Sequence, residues 1–193
     1  MNQPTPRTDP RVLRTRQLLR DAVIELLEEM DIEKISVNSI AQRAKINRVT
    51  FYLHYRDLPD MLDKMADDMV RDIRQVMTSS AETTETDEQE NWPAFENLLQ
   101  HIADHARFYK VILTSRQSTI FRDPLFRLIG EFISARLDNK ENSHTVPYTT
   151  IPREIAVWYI SSAMIGTIIS WIRNDMPYSP LYLARQISLL QSQ

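Results

Sequence analysis

The chain has 193 residues, a formal net charge of −3, 42% hydrophobic residues, no cysteine and only two glycines. This content supplies a small domain plus a larger body with its own core, and the scarcity of glycine and the many helix formers argue against a sheet-rich fold. The absence of cysteine excludes a disulfide framework and a thiolate metal site. The start, MNQPTPRTDPR, lacks the apolar core of a secretory signal, so we expect a polar arm and a cytoplasmic protein.

A first amphipathic helix is predicted before Ile35 and Ser36. Its apolar residues recur at helical spacing along one face, namely Leu19, Ala22, Val23, Leu26, Leu27 and Met30. Arginines precede or open this helix at positions 7, 11, 14 and 16. They form either a basic arm or an ordinary solvated charged face.

Residues 36–56 predict two short helices joined by a tight turn. Ser36 is a good N-cap for a helix that starts at Val37. Asn47 is a second N-cap, and from it another helix should run from Arg48 to about Tyr55. We expect Val49, Phe51 and Leu53 to supply its apolar contacts. Two helices that meet across so short a turn form a helix-turn-helix.

The second helix of this pair carries side chains that suit a DNA groove. Arg48 in its first turn can bridge O6 and N7 of guanine. The polar residues that follow can donate to phosphates or base edges, namely Thr50, Tyr52 and His54. The same periodicity also occurs in plain bundles of amphipathic helices, so the spacing alone does not separate the two interpretations.

Charge favours the DNA-binding interpretation. Residues 1–56 contain ten Lys or Arg and seven Asp or Glu, which leaves +3, and the rest of the chain must then carry −6. A basic head on an acidic body is typical of a module that docks on phosphates through one end.

The stretch from Arg14 to Leu62 closely resembles the DNA-binding domain of TetR-type (tetracycline-repressor-like) transcriptional regulators, most specifically in TFYLHY, residues 50–55. The resemblance implies an all-α fold: a three-helix helix-turn-helix domain with its N-terminal arm, residues 1–58, followed by a helical ligand-binding and dimerisation domain, residues 59–193. It implies core positions for Ile46 and Phe51. The DNA-binding residues predicted from it and from the chemistry above are Ser36, Asn38, Lys45, Asn47, Arg48, Val49, Thr50, Tyr52, His54 and Arg56.

Two positions depart from the family pattern. Lys45 stands where the family usually has a turn glycine, and a left-handed conformation there would cost roughly 1 kcal/mol. Either the turn is reshaped or Lys45 is tolerated because its amine reaches a phosphate. Leu58 stands where the family often has a lysine, and Arg56 is our candidate to replace that phosphate contact. Pro59 can still open a fourth helix.

The rest of the chain predicts further helices separated by polar segments. We expect helices over about Pro59–Ser79, Trp92–Thr114, Pro124–Leu137, Ile155–Ile172 and Pro180–Leu190, with polar connections at 81–91 and 138–150.

His101 and His105 lie four residues apart and would share a face of their helix. A metal site is one interpretation, but the zinc-protease spacing needs a glutamate where Ile102 stands, so we expect no metal and no cofactor. A histidine that lines a ligand pocket is the interpretation we favour. The candidate pocket residues, chosen for apolar bodies with polar tips, are Phe95, Leu99, His105, Tyr109, Phe126, Tyr159 and Met164.

Residues 155–172 are apolar on nearly every side. A membrane span, a buried core helix, and a helix buried partly by its own domain and partly by a second copy all fit this pattern. Serines and a threonine interrupt the run, and residues 180–190 add a second apolar stripe, so we favour the dimer and expect no membrane contact. The resemblance likewise implies a homodimer formed through the last two helices.

The predicted function is that of a dimeric DNA-binding regulator, most simply a repressor of a palindromic operator that an unknown small molecule releases. An enzyme is disfavoured because the chain has no nucleophile elbow, phosphate-binding glycine loop or metal triad. The alternative that stays open is a helical interaction or small-molecule-binding protein without DNA binding.

Overall fold

The computed structural model describes residues 9–79, 93–114, 119–142 and 151–191, and all regular structure in these ranges is helical. Arg7 and the predicted loop at 81–91 lie outside the described residues, as does most of the connection at 138–150. The helices are α1 (Pro10–Glu29), α2 (Val37–Arg43), α3 (Arg48–Tyr52), α4 (Leu58–Thr78), α5 (Pro93–Asp104), α6 (Ala106–Thr114), α7 (Thr119–Asn142), α8 (Arg153–Arg173) and α9 (Pro180–Gln191), with a 3-10 turn at Ile32–Lys34.

The chain divides into two compact units, Met1–Met65 and Ala66–Gln193, which we call the head and the body. The division falls inside α4 rather than after Leu58, because the apolar residues of the first two turns of this helix are buried in the head: Met61, Leu62 and Met65. Helix α4 itself is continuous and supplies residues to both units.

The head is a three-helix arrangement closed by the start of α4. Helix α2 packs on α1 and α3 packs on α2. Its core consists of fully buried apolar side chains from each helix, namely Leu19 and Val23 of α1, Ile40 of α2, Phe51 of α3 and Met61 of α4. Pro10 opens α1, because Asp9 caps the helix and proline is well suited to its first position. Arg11 is therefore helical.

The body buries a second core. Helix α8 packs on α6 and α7, and α5 packs on α9. The buried apolar residues come from all five of these helices, for example Leu98, Ile112, Leu125, Ile168 and Leu183. The all-α, two-part architecture is thus as predicted.

Helix boundaries in the body differ from the prediction at three places, one of which is the end of α7 at Asn142 instead of about Leu137. The helix expected over Trp92–Thr114 is interrupted at His105, whose Nδ1 lies 2.9 Å from the His101 carbonyl oxygen and competes for it with the backbone ladder. Helix α7 begins at Thr119 and carries Pro124 inside it. Burial of Phe121 one turn before Leu125 favours this longer helix despite the amide proton that proline lacks.

Helix α8 is long and apolar enough to cross a membrane by length and composition alone. In the body, however, one of its faces is buried against neighbouring helices, through residues such as Met164, Ile168 and Trp171. The opposite face is exposed at Trp158 and Tyr159. Helix α8 thus has one face buried in the core of the body and an opposite face that is exposed and apolar.

Candidate nucleic-acid interface

Helix α2 begins where the sequence predicts, at a capping box on Ser36. The Ser39 amide donates to Ser36 Oγ at 3.1 Å, and the Ser36 amide donates to Ser39 Oγ at 2.9 Å. Ser36 therefore holds the helix start with its hydroxyl. Asn38, in the first turn, is exposed, which leaves its amide available to a partner.

The turn between α2 and α3 is a Schellman motif centred on Lys45. Lys45 adopts a left-handed conformation with φ of 55°. The Ile46 amide donates to the Ala41 carbonyl at 3.0 Å and the Lys45 amide to the Gln42 carbonyl at 3.2 Å, which are the two bonds that define the motif. The turn thus keeps the geometry that normally selects glycine, with an exposed lysine in its place.

Helix α3 is shorter than predicted, so His54 lies after the helix and not within it. Asn47 caps the helix by accepting from the Val49 amide at 2.9 Å, as expected. The helix ends at Tyr52, and the His54 amide donates to the Phe51 carbonyl at 2.9 Å within the following turn. His54 therefore lies beside the end of α3 and not on its face.

The apolar residues of α3 do not all face the core. Phe51 is fully buried, as predicted, but Val49 and Leu53 are 66% and 77% exposed. The prediction that Val49 and Leu53 supply contacts within the protein is wrong. A five-residue helix presents only about one turn and a half, so a single large side chain is enough to anchor it.

Arg48 and Tyr52 form one exposed unit on α3. Arg48 donates to the Tyr52 hydroxyl from Nη2 at 2.8 Å, and its guanidinium carbon lies 5.3 Å from the centre of the tyrosine ring. The two residues are one helical turn apart, so they share a face. Both functional groups stand at the surface, and Thr50 between them is half-buried.

His54 is half-buried next to a cation. Burial lowers the pKa of His54, and the charge of Arg16 on α1 lowers it further. Arg16 itself is exposed. The end of α3 thus has an imidazole of lowered pKa and a nearby arginine from α1, a combination that no spacing rule in the sequence reveals.

The junction between α3 and α4 is a network of short polar contacts. The Asp60 amide donates to Asp57 Oδ1 at 2.8 Å, and the Arg56 amide donates to Asp60 Oδ2 at 2.9 Å. The hydrogen bond from the Arg56 amide, and then that from the Lys64 side chain, lowers the pKa of the Asp60 carboxyl. The Arg56 side chain remains 81% exposed.

Lys64 is a residue of this junction that the sequence did not single out. Its Nζ lies 2.9 Å from Asp60 Oδ2 and 3.2 Å from the His54 carbonyl oxygen. It therefore ties the turn after α3 to the first turns of α4. The spacing of Asp60 and Lys64, four residues apart on a helix, is enough to predict their ion pair. The contact of Lys64 with the His54 carbonyl oxygen depends on the fold and cannot be predicted from the spacing.

Arg43 clamps α2 onto α1. Its guanidinium makes a two-pronged contact with Glu29, at 2.9 and 2.6 Å, and a third contact with Glu25 at 3.3 Å. The hydrogen bonds from Arg43 lower the pKa of Glu29. Arg43 is thus an internal tie within the head. For the other cations of residues 36–56, which are Lys45, Arg48 and Arg56, no ion pair with α1 is described.

The residues predicted for a ligand pocket lie in different environments. Phe95, Leu99, Tyr109 and Met164 are buried core residues of the body, and Phe126 is half-buried. Tyr159 is 74% exposed on α8, away from any core. His105 is exposed and lines a cleft. The structure does not bring these seven residues together in one described cavity.

The described cleft that contains His105 lies in the body between α4 and α5 and has a volume of about 400 Å³. It is lined by Asp72, Gln75, Val76, Ser79, His101 and His105. Burial is the main cause that lowers the pKa of His101, His105 lowers it further, and Asp72 opposes the shift. Among the described residues, no group of three or more potential ligands is arranged to hold a metal ion.

A family model described as a transcriptional regulator C-terminal region, of TetR type, matches residues 90–193, which is more than half of the chain. An uncharacterised HTH-type transcriptional regulator of Bacillus subtilis (strain 168), YxbF, is 22% identical over 176 residues. The match covers 91% of this chain and 44% of that protein, so this chain spans less than half of the relative's length.

Solved structures share the fold. The fatty acid degradation regulator FadR from Bacillus halodurans superimposes with a TM-score of 0.73 at 14% identity and 95% coverage of both chains. FadR from Bacillus subtilis, solved with stearoyl-CoA, gives a TM-score of 0.62 at 18% identity, over 90% of this chain and 96% of that one. The family match falls on the body, whereas the resemblance seen in the sequence falls on the head, so the two are independent. The chain belongs to the TetR family of transcriptional regulators.

Proposed function

We propose that this protein is a dimeric transcriptional repressor that binds a palindromic DNA operator through α2 and α3 and leaves it when a small molecule binds the body. The observation that carries the proposal is the exposed face of α3. It presents Arg48 and Tyr52 at the surface of a helix whose only fully buried large side chain is Phe51. Such a helix is free to enter a major groove, which is wide enough for one.

The charge of this segment supports a polyanionic partner. Residues 36–56 contain four Lys or Arg and no Asp or Glu. We propose that Arg48 reads a guanine edge. The remaining contacts, to phosphates, sugars or further base edges, are assigned to Ser36, Asn38, Lys45, Asn47, Val49, Thr50, Tyr52, His54 and Arg56. Ser36 and Asn47 would contribute chiefly through the backbone amides that they hold in position, since their side chains already cap helices.

The exposed face of α8 supports a homodimer. Ile155, Trp158 and Tyr159 are at least half exposed there, and Gly166, farther along the same face, has nothing within 4 Å of where a Cβ would stand. We propose that this face and α9 pack against a second copy about a two-fold axis. A two-fold dimer presents two recognition helices to half-sites about 34 Å apart, or a multiple of that distance.

The effector is proposed to act through α4. The cleft lined by Asp72, His101 and His105 touches α4 at its body end, and the first turns of the same helix belong to the head. An effector that binds one arrangement of the body better than another would shift the population towards it. The other pocket candidates within the body, Phe95, Leu99, Tyr109, Phe126 and Met164, would line such a site only in a conformation more open than this one. Tyr159 lies instead on the exposed face of α8 proposed for the second copy. The protein would act in the cytoplasm, with no catalytic step and no contact with a membrane.

Selection from a pool of randomised DNA duplexes tests this proposal. A dimeric repressor should enrich an inverted repeat whose half-site centres lie about one helical turn, or a multiple, apart. Recovery of no preferred sequence would favour a helical interaction protein without DNA binding. Recovery of a single unrepeated half-site would leave DNA binding intact and contradict the dimer.

A further inference from the structure

Two exposed apolar side chains on α3 remain unexplained by contacts within the protein. Val49 is 66% exposed and Leu53 is 77% exposed, although both are residues that ordinarily gain from burial. They lie four residues apart, and Leu53 still has helical backbone angles as the C-cap of α3. They therefore stand on one face, with their Cβ atoms about 5–6 Å apart.

We propose that Leu53, together with Val49, reads thymine methyl groups in the major groove of the operator. This inference rests on the proposed DNA-binding function. The C5-methyl group of thymine is the one apolar feature that a base pair presents in that groove, and an aliphatic side chain is its natural complement.

Charge identifies the occupant of this apolar face. A protein partner would also accept an exposed Val and Leu, but the surrounding segment, residues 36–56, carries four cations and no carboxylate. Arg48 and Tyr52 flank the pair directly on α3. Arg43 and Arg56 have acidic partners, but no ion pair is described for Lys45 and Arg48. A surface that combines exposed methyl groups with these two positive charges matches thymines set between phosphates better than it matches another protein surface.

The spacing makes the inference specific. Successive bases of one strand rise by about 3.4 Å, so side chains about 5–6 Å apart reach bases one or two steps apart. We expect each half-site to contain thymine under Leu53 and a second thymine, on either strand, within about two steps of it. Leu53 is thus a specificity-determining residue that hydrogen-bond reasoning from the sequence does not find, because it has no polar atom.

Replacement of thymine by deoxyuridine tests the proposal, since it removes the methyl group and keeps every hydrogen-bonding atom. The probe is the duplex selected from the randomised pool, with each thymine replaced in turn, and the readout is affinity at fixed salt. Loss of one methyl contact should weaken binding about fourfold, the equivalent of ~0.8 kcal/mol. Replacement in both half-sites should weaken it by about the square of that factor.

Variants of Leu53 connect the effect to the residue. Leu53→Ala should bind the selected duplex more weakly and no longer respond to deoxyuridine at the sensitive position, whereas Leu53→Met, which keeps an apolar reach, should still respond. Leu13→Ala removes a leucine that is 54% exposed on α1 and should keep the full response. Circular dichroism should show the same melting for all of them, because both leucines are exposed.

The outcomes separate this inference from the function on which it rests. A specific complex that is insensitive to deoxyuridine at every position, or a Leu53→Ala protein with the full response, would overturn the role of Leu53 and leave DNA binding standing. A protein that selects no DNA sequence at all would overturn both.

Discussion

Lys45 and Asp175 each adopt a left-handed conformation at the residue that follows a helix C-cap, with φ of 55° and 57°. Asp175 ends α8 as Lys45 ends α2, because the Met176 amide donates to the Trp171 carbonyl at 2.9 Å and the Asp175 amide to the Ile172 carbonyl at 3.1 Å. Asp175 also pairs with Lys110 at 2.5 Å. No ion pair is described for Lys45, which agrees with the proposal that its amine binds a DNA phosphate.

Lys45→Gly should raise the free energy of unfolding by about 1 kcal/mol, because glycine adopts the left-handed conformation without strain. It should also weaken DNA binding and lower the dependence of log affinity on log salt by about 1, because one phosphate contact is lost. Urea denaturation and a salt series measure the two effects. Asp175→Gly, in the body, is the control that should leave DNA affinity unchanged, and a Lys45→Gly protein altered in neither property would refute the phosphate role.

His54 makes the stability of the head depend on pH. Burial, and then Arg16, lowers its pKa in the folded protein. The unfolded state therefore binds more protons between the folded pKa and the unfolded value near 6.5, so the free energy of unfolding should fall as the pH drops below about 6.5. His101 in the body acts in the same direction.

The effect of His54 can be isolated by substitution. The wild-type protein should lose more stability between about pH 7.5 and about pH 5.5 than His54→Gln does. Urea denaturation at the two pH values measures this difference. Equal losses in the two proteins would mean that the folded head does not lower the pKa of His54.

Among the helices, the boundaries were the least predictable feature. Caps read from single residues were correct at Ser36 and Asn47, because a short polar side chain that precedes an apolar run has a direct local cause. The break at His105 and the start of α7 at Thr119 depend on a side chain bonding to the backbone and on the burial of Phe121. Neither is visible in periodicity.

Ser161 gives a test within helix α8. Its hydroxyl is fully buried and has no hydrogen-bond partner among the described residues. Ser161→Ala should therefore raise the free energy of unfolding by about 1–2 kcal/mol, since it removes an unsatisfied polar group and improves helix propensity. Ser162→Ala, at an exposed position of the same helix, is the matched control and should change it by only about 0.5 kcal/mol. A Ser161→Ala protein no more stable than Ser162→Ala would show that the hydroxyl is satisfied in solution.

For the whole molecule, the sequence predicted the all-α fold and the two-part organisation but not the composition of a ligand site. In the helix-turn-helix of the head, the predicted roles of Ser36, Asn47 and Phe51 follow from local sequence, as two helix caps and one buried anchor. The pocket candidates were chosen by side-chain chemistry alone, and the structure separates buried Phe95 from exposed Tyr159. Which apolar residues line a cavity depends on how the helices pack, and the spacing of apolar residues along the sequence does not predict where cavities remain between them.

The uncovered face of α8 predicts the oligomeric state. Trp158→Asp should convert a dimer into a monomer, because it puts a charge into the centre of an apolar interface while the monomer itself tolerates it at a 60% exposed position. Sedimentation equilibrium measures the mass, and circular dichroism should show that the helices persist. Leu13→Asp, at an exposed position of the head, should remain dimeric. A wild-type protein that sediments as a monomer would contradict the proposed interface.

DNA reading by α3 through Arg48 can be tested by measuring the affinity of the wild-type protein and of Arg48→Ala for the selected duplex and for a scrambled duplex. The wild-type protein should prefer the selected duplex, and its affinity should fall steeply between about 50 and 200 mM salt. Arg48→Ala should lose about 1–3 kcal/mol on the selected duplex and relax the preference at one base pair. Equal affinity of the wild-type protein for both duplexes, or an Arg48→Ala protein that binds as tightly and selectively as the wild type, would contradict DNA reading by α3 through Arg48.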